Sequence, residues 1–231
     1  MNQSKVIHKR QGYLMGVKER KVKEKMARKQ DILSAAEKLF IQNGYQKTTL
    51  EDIADSCELS KGTIYLYFKN KEQLFLSILE RALVDFNTYL LEHIESTTNM
   101  RADERLSQFA GACLDYVTSL KPESKRILQE AHIYVMHQGI SNGIIQRINR
   151  KFNLLMPEHL NSIIKKGIED GTFRETDSYL VSEAFSLVIR GLMFAEVLWV
   201  VPTQKFESIF FQAIKCFIDG LYNNPNLLLF T

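Results

Sequence analysis

The chain has 231 residues, of which 45% are hydrophobic and 25% charged, and its formal net charge is +3. This composition predicts a globular protein with one small and one larger domain. Cys57, Cys113 and Cys216 are widely spaced and form no C-x-x-C pair, which argues against a zinc site or a disulfide framework and favours a reducing cytoplasm. The lysine-rich and arginine-rich N-terminus is too polar for a signal peptide, so export is not expected.

The N-terminal segment is strongly basic. Residues 1–30 hold ten Lys or Arg and two Glu, a charge of +8, which leaves −5 for the rest of a chain whose total is +3. Such segments attract nucleic acid by counterion release and can enter a minor groove. We therefore predict a flexible basic arm over residues 1–25. Two alternatives are a solvated tail and a true start at Met15 or Met26.

The stretch TTLEDIADSCELSKGTIYLYFKNK predicts two short helices joined by a tight turn. Thr48 or Thr49 can cap the first helix, with an acidic residue reaching back three positions later. Ser60 can cap the second helix, in which Ile64 and Phe68, four residues apart, form a single buried stripe. This arrangement is typical of a helix-turn-helix, which places the start of its second helix against base edges in the major groove.

The exposed residues of the second helix have chemistry suited to DNA. Gly62 permits close approach, Thr63 can contact a base edge or a thymine methyl group, and tyrosine hydroxyls and lysines can bind phosphates. The alternative is that YLYF forms an aromatic core cluster or a strand. The residues predicted to contact DNA are Thr48, Thr49, Ser60, Lys61, Gly62, Thr63, Tyr65, Tyr67 and Lys71.

Several elements of this segment occur together in a known pattern: Gly and an aromatic residue after the first helix, a Thr-led second helix, and Ser-x-Gly-Thr-x-Tyr-x-Tyr-Phe. Here they are Gly44, Tyr45, Thr49, Ser60, Gly62, Thr63, Tyr65, Tyr67 and Phe68. Residues 28–75 thus resemble the DNA-binding domain of the tetracycline-repressor (TetR) family. Two positions depart from the pattern. Glu58 stands where glycine is common, and Leu66 can offer only an apolar contact.

The remainder of the chain predicts helices without strands. Asn70 can cap a long linking helix over residues 71–95, and Pro122, Gly139, Pro157 and Gly171 mark later breaks. The helical periodicity continues over 103–119, 124–137, 143–155, 158–170, 178–200 and 204–222. The first of the last two helices is apolar almost all round, but its Arg190 and Glu196 would each cost roughly 3 kcal/mol at a bilayer centre, so we expect no membrane span.

The resemblance implies an all-α protein of about nine helices, with a helix-turn-helix domain over residues 26–72 (motif 49–68) and a ligand-binding and dimerisation domain over 73–231. It also implies that the last two helices form a four-helix interface with a second subunit. Such a dimer suits a palindromic operator, since two recognition helices about 34 Å apart read two half-sites. Expected interface residues are Phe185, Ile189, Leu192, Glu196, Phe210, Ile214 and Phe217.

A ligand pocket between residues 100 and 200 is a further implication of the resemblance. Candidate lining residues are Phe109, Cys113, Tyr116, His132, Tyr134, Met136, Phe152, Met156, Met193 and Trp199. Ordinary core packing is the alternative for each, because aromatic residues and methionines at helical spacing are usually core. His132 and His137 are five residues apart and lie on different helix faces, so no metal site is expected, and no cofactor either.

Together these features predict a DNA-binding transcriptional regulator: a repressor that binds its operator as a homodimer and is released by a small apolar ligand. We expect it in a bacterial or archaeal cytoplasm, at the nucleoid when bound to DNA. The alternative is a TetR-like DNA-binding protein with an architectural role or a protein partner. An enzyme is not expected, because the scattered His and Cys residues supply no nucleophile with its base, and no phosphate loop is present.

Overall fold

The computed structural model describes the backbone of residues 3–138, 143–198 and 203–222, and the side chains of 19–133, 156–198 and 205–222. Within these ranges the chain forms nine α-helices and no strand, which confirms the predicted all-α fold. It divides into two compact units, of which the first ends at Ile78 and the second begins at Leu79. We call the first unit the head and the second the body.

The head contains α1 (Gln3–Asn43), α2 (Leu50–Ser56), α3 (Lys61–Tyr65) and the first two turns of α4 (Lys71–Ser96). Aromatic rings hold its centre together. The Tyr45 ring lies 5.4 Å from that of Phe40 and 4.6 Å from that of Phe75. Buried side chains around these rings come from all four helices and include Ile32, Ala36, Ile53, Ile64, Phe68 and Leu74.

The first helix begins much earlier than predicted. Residues 3–25, which the sequence analysis assigns to a flexible arm, have helical backbone continuous with the rest of α1. The physical reason is composition, because the segment has no proline and is rich in Lys, Arg, Gln and Glu, all good helix formers. At the other end Gly44 adopts φ 82° and its N–H donates to the Phe40 carbonyl at 2.9 Å, a glycine cap of the usual kind. Contact of the arm with DNA stays a prediction.

The body consists of the rest of α4 and five further helices, α5 to α9. These are α5 (Ala102–Ser119), α6 (Pro122–Gln138), α7 (Gly143–Glu169), α8 (Ser178–Val197) and α9 (Thr203–Asp219). Their apolar faces meet in one core, which includes Leu106, Phe109, Cys113, Leu160, Ile164, Phe185, Ile189, Phe206 and Phe210. No helix in the described part of the chain has the length and apolar character needed to cross a bilayer.

Pro157 does not divide α7, contrary to the two helices predicted over residues 143–155 and 158–170. The helix runs through the proline without interruption. An interior proline costs about 3 kcal/mol because it removes one helical hydrogen bond. Leu160 and Ile163 are buried in the core on the same helix, and each such side chain contributes about 1.5–3 kcal/mol, which offsets that cost.

Two glycines shape the end of α7. Gly171 adopts φ 78°, which other residues rarely do, and ends the helix. At Gly167 a Cβ atom would lie 2.3 Å from the ring of Phe173 and 2.7 Å from the Cβ of Ala102. Glycine is therefore required there for α5 and α7 to pack closely.

Candidate nucleic-acid interface

The first helix of the predicted motif, α2, begins with a complete capping box. The Thr49 hydroxyl oxygen accepts the Asp52 N–H at 3.1 Å, and the Asp52 carboxylate accepts the Thr49 N–H at 2.8 Å. The hydrogen bonds from the Thr49 backbone and hydroxyl lower the pKa of Asp52. This local exchange fixes the start of a helix of only seven residues.

The turn after α2 is strained at the position that the sequence singled out. Glu58 has φ 54°, the left-handed region, where a side chain costs about 1–2 kcal/mol. Hydrogen bonds hold the turn, since the Leu59 N–H donates to the Ala54 carbonyl at 2.9 Å. The glycine common in the family's turn is thus replaced here by a residue that adopts the glycine conformation.

The second helix, α3, presents most of its surface to solvent. Ser60 caps it, accepting the Thr63 N–H at 3.1 Å. Ile64 is fully buried and Phe68 is 1% exposed, so these two anchor the helix as predicted. Tyr65 and Leu66 are 49% and 76% exposed, so neither belongs to an aromatic core cluster, and the helical backbone rules out the strand alternative.

We define the reading surface as five residues of α3 and the turn that follows it. Three of them are exposed and two, Thr63 and Tyr67, are half-buried. The set is Lys61, Gly62, Thr63, Tyr65 and Tyr67. These residues combine a cation, a hydroxyl, two phenols and a backbone position without a side chain on one short element.

Neither a close contact with the described residues nor a left-handed backbone requires glycine at position 62. A Cβ atom there would meet only the Ser60 Oγ, at 3.7 Å, which is ordinary van der Waals contact. Nor does Gly62 adopt a left-handed conformation. Any requirement for glycine must therefore come from something that approaches the helix from outside.

The charge of Lys61 is tied to the neighbouring helix. Its ammonium group forms an ion pair with the Glu51 carboxylate of α2, and both side chains are exposed. The hydrogen bond to Glu51 raises the pKa of Lys61, while the pKa of Glu51 falls for the same reason. An exposed pair of this kind contributes little to stability, so the Lys61 ammonium can exchange its carboxylate for a phosphate.

Two residues predicted to contact DNA also form hydrogen bonds within the head. Thr48 is fully buried, and its hydroxyl donates to the Gly44 carbonyl at 2.9 Å. The Lys71 ammonium donates to the carbonyls of Tyr45 and Thr48, at 2.8 and 2.9 Å, and to a third carbonyl between them. Desolvation by this partial burial lowers the pKa of Lys71. Both side chains hold the loop between α1 and α2, and their contact with DNA stays a prediction.

The structure also exposes cations that the sequence analysis did not select. Lys47 and Lys69 are exposed, one directly before the buried Thr48 and the other directly after the buried Phe68. Their exposure could have been predicted from the sequence, because each lysine directly neighbours a residue whose side chain is buried. They add positive charge beside the reading surface.

Comparisons with known proteins agree with this geometry. The sequence model described as "Bacterial regulatory proteins, tetR family" matches residues 32–78, which span most of the head. The HTH-type transcriptional regulator QacR of Staphylococcus aureus (strain Mu50 / ATCC 700699) is 30% identical over 169 residues, covering 71% of this chain and 84% of that protein. The chain belongs to the TetR family. This TetR-family protein is therefore a helix-turn-helix, DNA-binding transcriptional regulator and not an enzyme.

Two further relatives extend the similarity over the body. The fatty acid metabolism regulator protein of Bacillus subtilis (strain 168) is 23% identical over 207 residues, covering 87% of this chain and 100% of that protein. The crystal structure of a transcriptional regulator from Pseudomonas aeruginosa PAO1 has a TM-score of 0.67 at 19% identity, covering 84% of this chain and 90% of that one. The second similarity shows that this chain and the solved protein share a fold although few of their residues are identical.

The residues predicted to line a ligand pocket have varied surroundings in the body. Phe109, Cys113 and Met156 are buried in its core. The half-buried Tyr116 packs its ring on Phe86 and Tyr89, at centroid distances of 4.8 and 5.3 Å. The remaining candidates fall into two groups. His132 packs against the Phe194 ring and Met193 is partly buried, whereas Tyr134, Met136, Phe152 and Trp199 lie outside the described side chains.

Most residues predicted for the dimer interface are buried in their own subunit. Those at most 3% exposed are Phe185, Ile189, Glu196, Phe210 and Ile214, so these side chains leave little surface for a partner to contact. Leu192 and Phe217 are only partly buried. The outward faces of α8 and α9 carry a different apolar set, in which Leu187 is 62%, Phe194 41%, Ile209 43% and Phe211 52% exposed.

Glu196 is buried because it has a cationic partner in the same chain. The Lys125 ammonium of α6 lies 2.7 Å from its carboxylate, and the two side chains are 11% and 3% exposed. Next to this pair the Gln129 amide donates to the Val197 carbonyl at 2.6 Å. These polar contacts join the start of α6 to the end of α8.

Proposed function

We propose that the protein is a repressor that binds a palindromic operator as a homodimer in the cytoplasm and leaves it when a small ligand binds the body. The observation that carries the DNA part is the reading surface, whose residues are exposed or half-buried although each end of α3 is anchored by a cap or a buried side chain. Rigid anchoring of exposed polar side chains is what base recognition needs.

In this proposal α3 enters the major groove. Thr63 and Tyr65 contact base edges or sugars, while Lys61 and the Tyr67 hydroxyl bind phosphates. Leu66 is 76% exposed and completes the surface with a contact to a thymine methyl group. Gly62 lets the helix approach the bases, because no Cβ stands between the backbone and the groove.

Dimerisation rests on the exposed apolar side chains of the last two helices. Leu187 and Phe194 on α8, and Ile209 and Phe211 on α9, are each more than 40% exposed. Large apolar side chains exposed on neighbouring helices are typical of a protein interface. A two-fold axis beside α8 and α9 would use the same residues on both subunits.

Release by a ligand requires that the ligand bind the DNA-incompetent arrangement better than the DNA-competent one. The name of one relative links that protein to fatty acid metabolism, which supports an effector with apolar character. The alternative, a DNA-binding protein without a small effector, has one observation in its favour. The cavity beside Phe109 measures about 30 Å³, and the larger groove between α5 and α9, about 480 Å³, is more open to solvent, whereas pockets for drug-sized ligands are concave spaces of about 300–1,000 Å³.

The test of the DNA part begins with selection of bound duplexes from a random pool, which gives the half-site and spacing. Tyr65→Ala and Thr63→Ala should each weaken binding of the selected duplex by about 1–3 kcal/mol, as for a lost base contact. Tyr179→Ala is the matched control, because Tyr179 on α8 is also 49% exposed. Unchanged affinity in both α3 variants would overturn the assignment.

The dimer is tested by sedimentation of charged variants. Leu187→Asp should raise the dimer dissociation constant at least about tenfold, the equivalent of 1.4 kcal/mol. Ile133→Asp on α6 is the control, since Ile133 is an apolar residue of similar exposure, 52%. Equal dissociation constants for the two variants would remove α8 from the interface.

The effector is tested by screening small apolar molecules for displacement of the labelled duplex. A true effector must both bind the protein and weaken its DNA affinity. A compound that binds without changing DNA affinity favours the alternative of a regulator without a small effector.

A further inference from the structure

One arginine of the body is largely buried, and one nitrogen of its guanidinium has no hydrogen-bond partner among the described residues. Arg105, on the first turn of α5, is 8% exposed, and its Nε–H finds no acceptor in the part of the chain that the structure describes. Arginine is almost never buried unless it is paired, because removing its charge from water is costly. The position therefore favours an anion that the described part of the chain does not supply.

The Arg105 side chain borders a small cavity between α4, α5 and α7. The cavity measures about 30 Å³, and the void around it, including the part open to solvent, about 330 Å³. Leu90, Phe109 and Ile163 give it apolar walls, and Gln108 adds a second polar side chain. A chemical group that enters the cavity thus meets a guanidinium on one side and hydrocarbon on the others.

Two hydroxyl groups at the rim already donate to backbone carbonyls. The Ser96 hydroxyl donates to the His93 carbonyl at 2.7 Å, and the Thr97 hydroxyl donates to the Ile94 carbonyl at 2.9 Å. Neither hydroxyl carries a charge, so neither neutralises Arg105. The cavity accordingly keeps a positive potential at its polar end.

We propose that this cavity binds the carboxylate group of a small organic acid, with the Arg105 guanidinium as its counter-ion. A guanidinium fork matches the two oxygens of a carboxylate and forms short, charge-assisted hydrogen bonds with them. A volume of 30 Å³ holds roughly two water molecules, so it accommodates the head group alone, and the rest of the acid lies along the apolar walls toward the mouth.

The proposal that the cavity binds a carboxylate depends only on the geometry of the cavity. As an effector site it rests on the proposed function, because only then does its occupation change DNA affinity. The experiment therefore measures binding and DNA release separately.

Binding is measured by calorimetry on the full chain with sodium octanoate, sodium acetate and octanamide at constant ionic strength. Octanoate should bind, and octanamide, its uncharged counterpart, should bind at least tenfold more weakly. Acetate separates two sources of the carboxylate: equal affinity for acetate and octanoate indicates a free short acid, and tighter octanoate binding indicates an acid with an apolar chain. Either result supports the site.

Arg105→Met should weaken octanoate binding at least tenfold, because it keeps the length of the side chain and removes the charge. Arg126→Met is the matched control, since Arg126 is an exposed arginine on α6, and its octanoate affinity should equal that of the wild type. Circular dichroism checks folding. Should Arg105→Met fail to fold, Ala112→Val decides, because Ala112 lines the cavity and two added methyl groups fill it while Arg105 stays.

Equal binding of octanoate and octanamide, unchanged octanoate affinity in the folded Arg105→Met or Ala112→Val protein, or no binding of either acid would overturn the proposal, leaving water as the occupant of the cavity. Octanoate that binds through Arg105 but leaves the affinity for the selected duplex unchanged supports the site and contradicts the ligand-release part of the proposed function. The two ideas can therefore fail separately.

Discussion

The head and the body hold their helices by different means. In the head, α2 and α3 have seven and five residues, too short to be stable alone, and each depends on a polar cap and one to three buried side chains. In the body, the five helices α5 to α9 have 17 to 27 residues and share one apolar core. Short-range polar contacts thus shape the surface of α3, whereas the cavity in the body depends on contacts between distant parts of the chain.

The strongest test concerns the one buried ion pair described in the body. Glu196→Ala leaves the Lys125 ammonium buried without its carboxylate, and we expect the free energy of unfolding to fall by about 3–5 kcal/mol in urea titrations. Asp219→Ala, which breaks the exposed pair with Lys215, should cost no more than about 1 kcal/mol. A small loss in Glu196→Ala would mean that apolar packing alone holds α6 to α8.

In the head, a comparable test replaces Lys71, whose ammonium group donates to the carbonyls of the loop between α1 and α2. Lys71→Met deprives three loop carbonyls of their donor, so we expect unfolding to become easier by about 1–3 kcal/mol. The salt dependence of DNA binding should not change, whereas Lys61→Met should reduce its slope by about one. A reduced slope in Lys71→Met would restore this residue to the DNA interface.

Two glycine substitutions, one in the head and one in the body, test whether only the first lies at the DNA interface. Gly62→Ala and Gly111→Ala meet no close neighbour among the described residues, and each should stabilise its helix by about 0.5–1 kcal/mol in thermal unfolding. Only Gly62→Ala should weaken binding of the selected duplex, because its new methyl group faces the groove. Equal DNA affinity in the two variants would show that α3 does not approach DNA at this residue.

The smallest expected effect is the pH dependence of the α2 cap. Because hydrogen bonds from Thr49 lower the pKa of Asp52 below its ordinary value of 3.8, the cap contributes stability above that value and loses it as the pH falls through the folded-state pKa. The free energies of unfolding of the wild type and Asp52→Asn, measured from about pH 5 downward, should therefore become equal in acid. A constant difference between them would assign the loss to another group.

Much of the head could be predicted from the sequence because its signals are local. Thr49 with Asp52, and Ser60 with Thr63, are hydrogen-bonded partners three residues apart, so the spacing alone reveals them. The left-handed turn was visible as Glu58 in a glycine position. These local contacts determine where α2 and α3 begin, and hence which side chains of α3 are exposed.

The remaining features were decided by tertiary structure. Periodicity shows that α8 and α9 are apolar on more than one face, but only packing buries Phe185 and Phe210 and leaves Leu187 exposed. The sequence by itself thus determined the family, the all-α fold and the short caps, because these depend on neighbours within one helical turn. Only the folded chain could place Lys71 on the loop carbonyls and Arg105 beside a cavity, because those positions depend on residues far apart in sequence.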